Sequence, residues 1–374
     1  MSTLFETTTI NRMKLANRFV RSATWEGMAN KDGSCTEHLA ELMAELARGE
    51  VGLIISGHAF VSREGQAGPG QLGAYAGELM PGLQRMTEAV HDAGGKIILQ
   101  LAHAGCQASY KLTGLTPLGP SEYTPEKGAA AKEMSREEIQ FTIESFAAAA
   151  ERAKEADFDG VQIHAAHGYL LSQFLSPYFN KRTDEFGGSL ENRIRLAAEV
   201  TRAVRETVGS AWPVLVKMNS EDFIEGGLSS TDMIRAAEIL AGAGVDAVEM
   251  SGGTGLSDPS LQPVRTDDPA TEEDEVYYRE AATRFKQQAT VPLILVGGIR
   301  SCSVAETLVQ EGTADYIALS RPLICEPNLV KRWHAGDTER AACISCNLCF
   351  GPAMRGKGVY CVVKEKQKTI YSDG

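Results

Sequence analysis

No stretch of this sequence approaches the roughly 20 consecutive apolar residues that a membrane-spanning helix needs. The N-terminus, "MSTLFETTTINRMKLANRF", lacks the basic patch followed by an apolar core that marks a secretory signal. The chain is therefore expected to be a cytoplasmic protein. Positive charge is also short: 37 Lys and Arg stand against 49 Asp and Glu, a net charge of −12, and the basic residues are scattered. That excludes nucleic acid and anionic membrane as main partners and leaves small molecules or other proteins. Of the eight cysteines, Cys35, Cys106, Cys302 and Cys325 are dispersed, while Cys343, Cys346, Cys349 and Cys361 crowd into one segment. In a cytoplasmic chain such crowding points to a metal rather than to disulfides.

What is plentiful is apolar content, 43% over 374 residues, enough for one large barrel or two ordinary domains. Short β-branched runs recur, each followed by helical periodicity. They read "RFVRSAT", "VGLIISGH", "KIILQLAH", "DGVQIHA", "PVLVKMN", "DAVEMSGG", "PLILVGG" and "DYIALSR". Strands apolar at nearly every position, alternating with helices, predict an α/β fold: a closed parallel (β/α)8 TIM barrel rather than an open doubly wound sheet. The stretch "GAGVDA" has dinucleotide-turn glycine spacing but lies between a helix and a strand, the reverse of the required order, so it reads as a plain loop. Two long connections, after the third and sixth strands, are expected to frame a substrate mouth. No internal repeat or low-complexity linker marks a second domain. The expected division is a barrel over 1–335 and a short cysteine-rich C-terminal extension over 336–374.

In such a barrel the C-terminal strand ends share one bowl. Here they bring Thr24 and Trp25, Gly57 and His58, Gln100 and His103, His164 and His167, Lys217 and Asn219, Gly252 and Gly253, Gly297 and Gly298, and Ser320 and Arg321. A purely structural barrel has no reason to gather them. The turns "VGGIRS" and "LSRPL" fall where barrels often bind phosphate, so a phosphorylated ligand is expected. For His164 and His167 a metal site is the weakest reading, because no third ligand stands at matching spacing. A clamp for a substrate oxygen and a plain strand cap are equally supported by the pattern.

The block "IHAAHGYLLSQFLSPYFNKRTDEFGGSLENR", with "LQLAHAG" before it and "VGGIR" and "SRPL" after, resembles the Old Yellow Enzyme family of FMN-dependent ene-reductases. The resemblance runs from "NRFVRSAT" to "LSRPLICEP". It implies non-covalent FMN at the mouth, reduced by NADH or NADPH. It implies that Gln100 bonds the flavin pyrimidine edge, that Lys217 sits beside N1 and the C2 oxygen, and that Gly297, Gly298 and Arg321 hold the phosphate. Ala23, Thr24, Trp25, Gly57 and Ser320 complete the implied flavin site. His164 and His167 would donate to the oxygen of an activating carbonyl and Tyr169 would deliver the proton. Trp25 stands where many members carry Cys or Thr, and His58 where a small residue is usual. The absent cysteine at 25 and the retained His164 favour ene reduction over amine oxidation.

The segment "CISCNLCFGPAMRGKGVYC" resembles that of trimethylamine dehydrogenase and 2,4-dienoyl-CoA reductase, which implies a [4Fe-4S] cluster on Cys343, Cys346, Cys349 and Cys361. Four thiolates also suit zinc. Those proteins continue into a second flavin and nucleotide domain, which this chain is expected to lack. The leading expectation is reduction of the C=C bond of an enone-type small molecule by a homo-oligomer. An amine-type dehydrogenase and a flavin/iron-sulfur electron-transfer subunit are the alternatives.

Overall fold

The computed structural model describes residues 3–266 and 268–372. The expected extension over 336–374 thus ends with two residues outside the described ones. Eight strands form the barrel: β1 Phe19–Arg21, β2 Leu53–Ile55, β3 Ile97–Ala102, β4 Val161–Ala165, β5 Val214–Asn219, β6 Ala247–Ser251, β7 Leu293–Val296 and β8 Tyr316–Leu319. Each pairs in parallel with its neighbours, and the Ala318↔Val20 and Ile54↔Ile97 pairings carry the sheet round to closure. The expected TIM barrel is what the chain forms. The "GAGVDA" stretch is a helix-to-strand loop, with Gly244 at φ +115° ending the helix Ser230–Ala243.

Side chains on a strand alternate between faces. The inward set starts apolar: Val20, Leu53, Ile55, Ile98, Leu215, Ala247, Ile294, Tyr316 and Ala318 share one buried cluster. An N-terminal hairpin, Thr8–Ile10 paired with Met13–Leu15, adds Ile10, Met13 and Leu15 to that cluster and so plugs the lower end. Each of these side chains contributes about 1.5–3 kcal/mol by leaving water. Two residues further along the strands the inward positions turn polar: Leu215 gives way to Lys217 and Asn219, Ala247 to Glu249 and Ser251, Ile98 to Gln100. The plug and this change of polarity leave the C-terminal end as the place for chemistry.

A second, outer cluster packs the helices on the strands. The helix Arg136–Glu155 begins at a reciprocal cap, Ser135 with Glu138, which satisfies two backbone N–H groups that would otherwise lack partners. The connection before it, 103–135, and the one over 252–278 both lie above the mouth. After the helix Leu329–His334 the chain runs through the cysteine loop to the helices Phe350–Met354 and Val362–Ser372.

Candidate active site

The histidine pair spans the end of a strand and a turn with a backbone cost. His164 lies in β4, opposite Lys217 of β5. His167 has φ +60°, unusual for a residue with a side chain, and Gly168 follows at +72°. Asn219 holds this turn: its Oδ1 accepts the His167 amide at 3.0 Å, while its Nδ2 donates to Asp222 at 2.9 Å. The turn aims Tyr169 back over the barrel. The His164 ring centroid is then 5.3 Å from that of His167 and 4.9 Å from that of Tyr169. His58 joins them, its Nε2 3.3 Å from the Tyr169 hydroxyl, and His167 Nε2 lies 2.8 Å from Ser251 Oγ.

Burial sets the charge state of the group. It holds His58 down to about 4 and pushes Tyr169 up to about 12. Burial also lowers His164 and His167 well below the usual histidine value, with Lys217 and the neighbouring imidazoles adding to the effect. At neutral pH the cluster is therefore three neutral imidazoles and a protonated phenol.

Beneath it lies a buried network. Lys217 Nζ donates to Ser22 Oγ at 2.8 Å and to Glu249 at 3.0 Å, and Ser22 donates to the same carboxylate at 2.6 Å. Gln100 donates to Gln162, which donates in turn to the other Glu249 oxygen at 2.8 Å. Glu249 is fully buried and neutralises the Lys217 charge. Sequence reasoning missed this carboxylate, although a Glu inside the apolar run "DAVEMSGG" was the signal.

Ala23, Thr24, Trp25, Gln100, His164, His167, Tyr169, Lys217, Gly297 and Ser320 line one cavity of about 500 Å³. Gly298 and Arg321 line an adjoining hollow of about 70 Å³ with Gly297 and Arg300. The two glycines have φ +125° and +78°, and a Cβ on Gly298 would meet the Tyr277 ring at 2.6 Å, so the turn needs glycine twice over. Gly57 does not reach the cavity. Its amide donates to Glu26, and a Cβ there would fall 2.0 Å from that carboxylate, so it makes room for the buried Arg21–Glu26 pair.

A flavin mononucleotide fits this arrangement. Amide and ammonium donors stand at the floor, His164 Nδ1 is buried without a partner, and the smaller hollow is walled by a tight turn and guanidinium groups. Arg265, stacked 4.3 Å over Tyr277 at that end, also keeps Nε and Nη2 buried without partners. These groups would hold the ring and its phosphate.

Cys343, Cys346, Cys349 and Cys361 surround one small cavity of about 30 Å³, and Cys325, which looked dispersed in the sequence, joins them. Cys325 faces the same cavity as Cys361, and burial pushes its thiol up to about 12. The loop is wrapped round two arginines. Arg321 donates to Ser345 O at 3.0 Å and Asn347 Oδ1 at 2.6 Å, and Arg300 Nη2 donates to Ser345 Oγ at 2.7 Å. Ser345 and Asn347 take φ +56° and +57° to do so. Phe350, next to Cys349, lines the flavin-sized cavity. The metal expected on these cysteines meets a limit. Among the described residues no three His, Cys, Asp or Glu side chains are arranged to hold a metal ion. The donor set has the chemistry of a thiolate-held cluster but not the close spacing of a single tetrahedral ion, whose Zn–S bonds are about 2.3 Å.

A closed parallel barrel with a polar, partly basic cavity at its C-terminal mouth has the architecture of a TIM-barrel enzyme active site. The chain belongs to the NADH:flavin oxidoreductase / NADH oxidase family, whose model matches residues 3–339. It is 35% identical to the NADH oxidase of Thermoanaerobacter brockii over 99% of this chain but only 59% of that protein. It thus spans little more than half of that relative. An NADPH dehydrogenase of Bacillus subtilis is 36% identical, over 87% of this chain and 92% of its own length. A solved old yellow enzyme homologue from Zymomonas mobilis superposes with a TM-score of 0.77 at 28% identity, covering 92% of this chain and 96% of that one. Family membership implies a flavin reduced by NADH or NADPH.

Proposed function

We propose that this protein reduces the carbon–carbon double bond of α,β-unsaturated carbonyl compounds, with FMN held at the barrel mouth and NADH or NADPH as reductant. The observation that carries the reading is the neutral cluster of His164, His167 and Tyr169 on one cavity wall. When bound, FMN would supply the two-electron chemistry. The protein's own part is polar. His164 and His167 each offer an N–H to the carbonyl oxygen, where negative charge gathers as the β-carbon is reduced. A single such donor is worth about 100- to 1000-fold in rate. Both imidazoles being neutral, their N–H groups are far weaker acids than an imidazolium, so they bind the oxygen without delivering a proton to it. Tyr169 stays protonated and can place its phenolic proton on the α-carbon, with His58 holding the hydroxyl in position. Lys217 and Gln100 would bind the polar edge of the flavin, and Arg300, Arg321 and the Gly297–Gly298 turn its phosphate.

The purified protein should carry releasable FMN, and cyclohexenone should restore the oxidised flavin spectrum after anaerobic reduction. Replacing His164 and His167 together by Ala should slow that step by at least about 100-fold while FMN stays bound. Unchanged reoxidation in the double variant, or a protein that takes up no FMN, would overturn the reading. The cysteine cavity supports a second role, electron transfer through a [4Fe-4S] cluster on Cys343, Cys346, Cys349 and Cys361. Phe350, the residue after Cys349, lines the flavin-sized cavity.

A further inference from the structure

Beside the flavin-sized cavity lies a larger one, about 680 Å³, that the chemistry above does not use. The two share Gln107 and Gly255. Gln107 forms the partition, its Nε2 donating to the carbonyls of His167 at 3.2 Å and Gly168 at 2.6 Å. The side chain that separates the chambers is therefore tied to the backbone of a residue that would hold the substrate oxygen. The outer chamber is walled by residues 106–111, 123, 125 and 127–129 of the connection after β3 and by 254–256 of the connection after β6.

Its lining has two chemistries. Tyr123 and Phe179 meet edge to face at 5.3 Å, while Leu256 and Tyr110 are 46% and 52% exposed at the rim. Apolar side chains exposed round a hollow mark a surface that a ligand covers. The charged residues in the described lining are Lys111 and Lys127, both positive in a chain of net charge −12. Neither has an ion-pair partner among the described residues. Glu122 and Glu126 belong to the same loop but do not line the chamber. A cavity of this size is in the range that buries an entire small ligand, about 300–1000 Å³. A simple cyclic enone would leave it open.

We propose that this chamber receives the distal arm of an elongated substrate whose far end is a carboxylate. The conjugated carbonyl lies at His164 and His167, an apolar body runs past Gln107 along Tyr123, Phe179 and Leu256, and the carboxylate sits between Lys111 and Lys127. The inference rests on the enone reading for the carbonyl end alone, so its test is a binding measurement that needs no turnover.

The visible spectrum of FMN in the holoprotein is followed while three phenols are added: para-hydroxyphenylhexanoate, its methyl ester, and the analogue ending in phosphate. The acid should bind about fivefold more tightly than the ester at low ionic strength, the scale of two solvent-exposed charge pairs. That preference should shrink in high salt. In the Lys111→Ala/Lys127→Ala variant the acid-to-ester ratio should fall to about one. Equal binding of acid and ester by the natural protein, or a preference that survives in the variant, would overturn the proposal. A phosphate analogue preferred over the acid by about tenfold would overturn the carboxylate assignment. If cyclohexenone fails to reoxidise the flavin, the enone reading falls while the phenol titration still decides the chamber.

Discussion

At the barrel mouth the reactive side chains stand on strands, as His164 and Lys217 do, or on the turns directly after them, as His58, His167 and Tyr169 do. In the cysteine segment they stand on a loop folded round two guanidinium groups. Both regions surround a cavity, yet their polar atoms are satisfied differently. In the mouth, Lys217, Ser22 and Gln162 converge on the Glu249 carboxylate and Gln100 reaches it through Gln162; Lys217, Gln162, Gln100 and Glu249 hold inward strand positions set by the twofold alternation of side chains, and Ser22 follows directly on β1. In the cysteine loop, Ser345 and Asn347 adopt left-handed backbone so that a carbonyl and an amide oxygen can face Arg321. The mouth is built before any ligand arrives. The cysteine cavity gathers its thiols round about 30 Å³, and among the described residues they do not stand at single-ion spacing. Arg321 joins the two regions, since it lines both the phosphate-sized hollow and the cysteine cavity.

The most severe way to break this contrast is to unbalance the network of the mouth. Glu249→Ala leaves the Lys217 ammonium buried without its counter-charge and should cost about 3–5 kcal/mol in chemical denaturation. Lys217→Met combined with Glu249→Gln removes both charges and should recover most of that loss. Equal stability of the single and double variants would mean that the pair is not the element that holds the mouth together.

A smaller effect separates chemistry from architecture within the mouth. Tyr169→Phe should slow enone-dependent reoxidation of the flavin by about 100-fold or more, the scale of a lost general acid, while NAD(P)H-dependent reduction is nearly intact. In the natural protein the reoxidation step should stay level from roughly pH 5 to pH 9. His58 takes up a proton only near 4 and Tyr169 gives one up only near 12, so neither changes charge in that window. Equal slowing of both half-reactions, or a rate that follows an ordinary histidine titration, would remove Tyr169 from the proton-donor role.

The mildest change sharpens the other side of the comparison. After anaerobic purification the protein should contain iron and acid-labile sulfide, and Cys349→Ala should lose them. Cys325→Ala should keep the iron and change stability by about 1 kcal/mol, as expected of a thiol that packs beside the ligand set without belonging to it. Iron lost on replacing Cys325 would enlarge the set to include it, and zinc in place of iron would refute the cluster.

How much of this was legible in advance varies with distance along the chain. Eight β-branched runs with following helices declared the barrel, because alternation and helical periodicity are local properties that the backbone expresses wherever the segment lies. The strand ends declared the mouth for the same reason: Gln100, His164 and Lys217 needed only the rule that these ends share one bowl. Other assignments depended on partners far away in sequence. Gly57 looked like part of the flavin wall until the fold placed the Glu26 carboxylate against it. Arg321 was legible as a phosphate ligand, but its second task, holding the cysteine loop through acceptors 24 and 26 residues further on, was not. Cys325 looked solitary until the chain returned with Cys361 beside it. The amino-acid order by itself determined the strands, the helices and which end of the barrel is polar, since those follow from short-range pattern and from the twofold repeat of a strand. Only the tertiary structure decided that Glu249 neutralises Lys217, that His58 reaches Tyr169, and that the loops after β3 and β6 enclose a second chamber. The first is a register pair between neighbouring strands and the others are contacts between connections, so the geometry of each exists only once the intervening chain has packed.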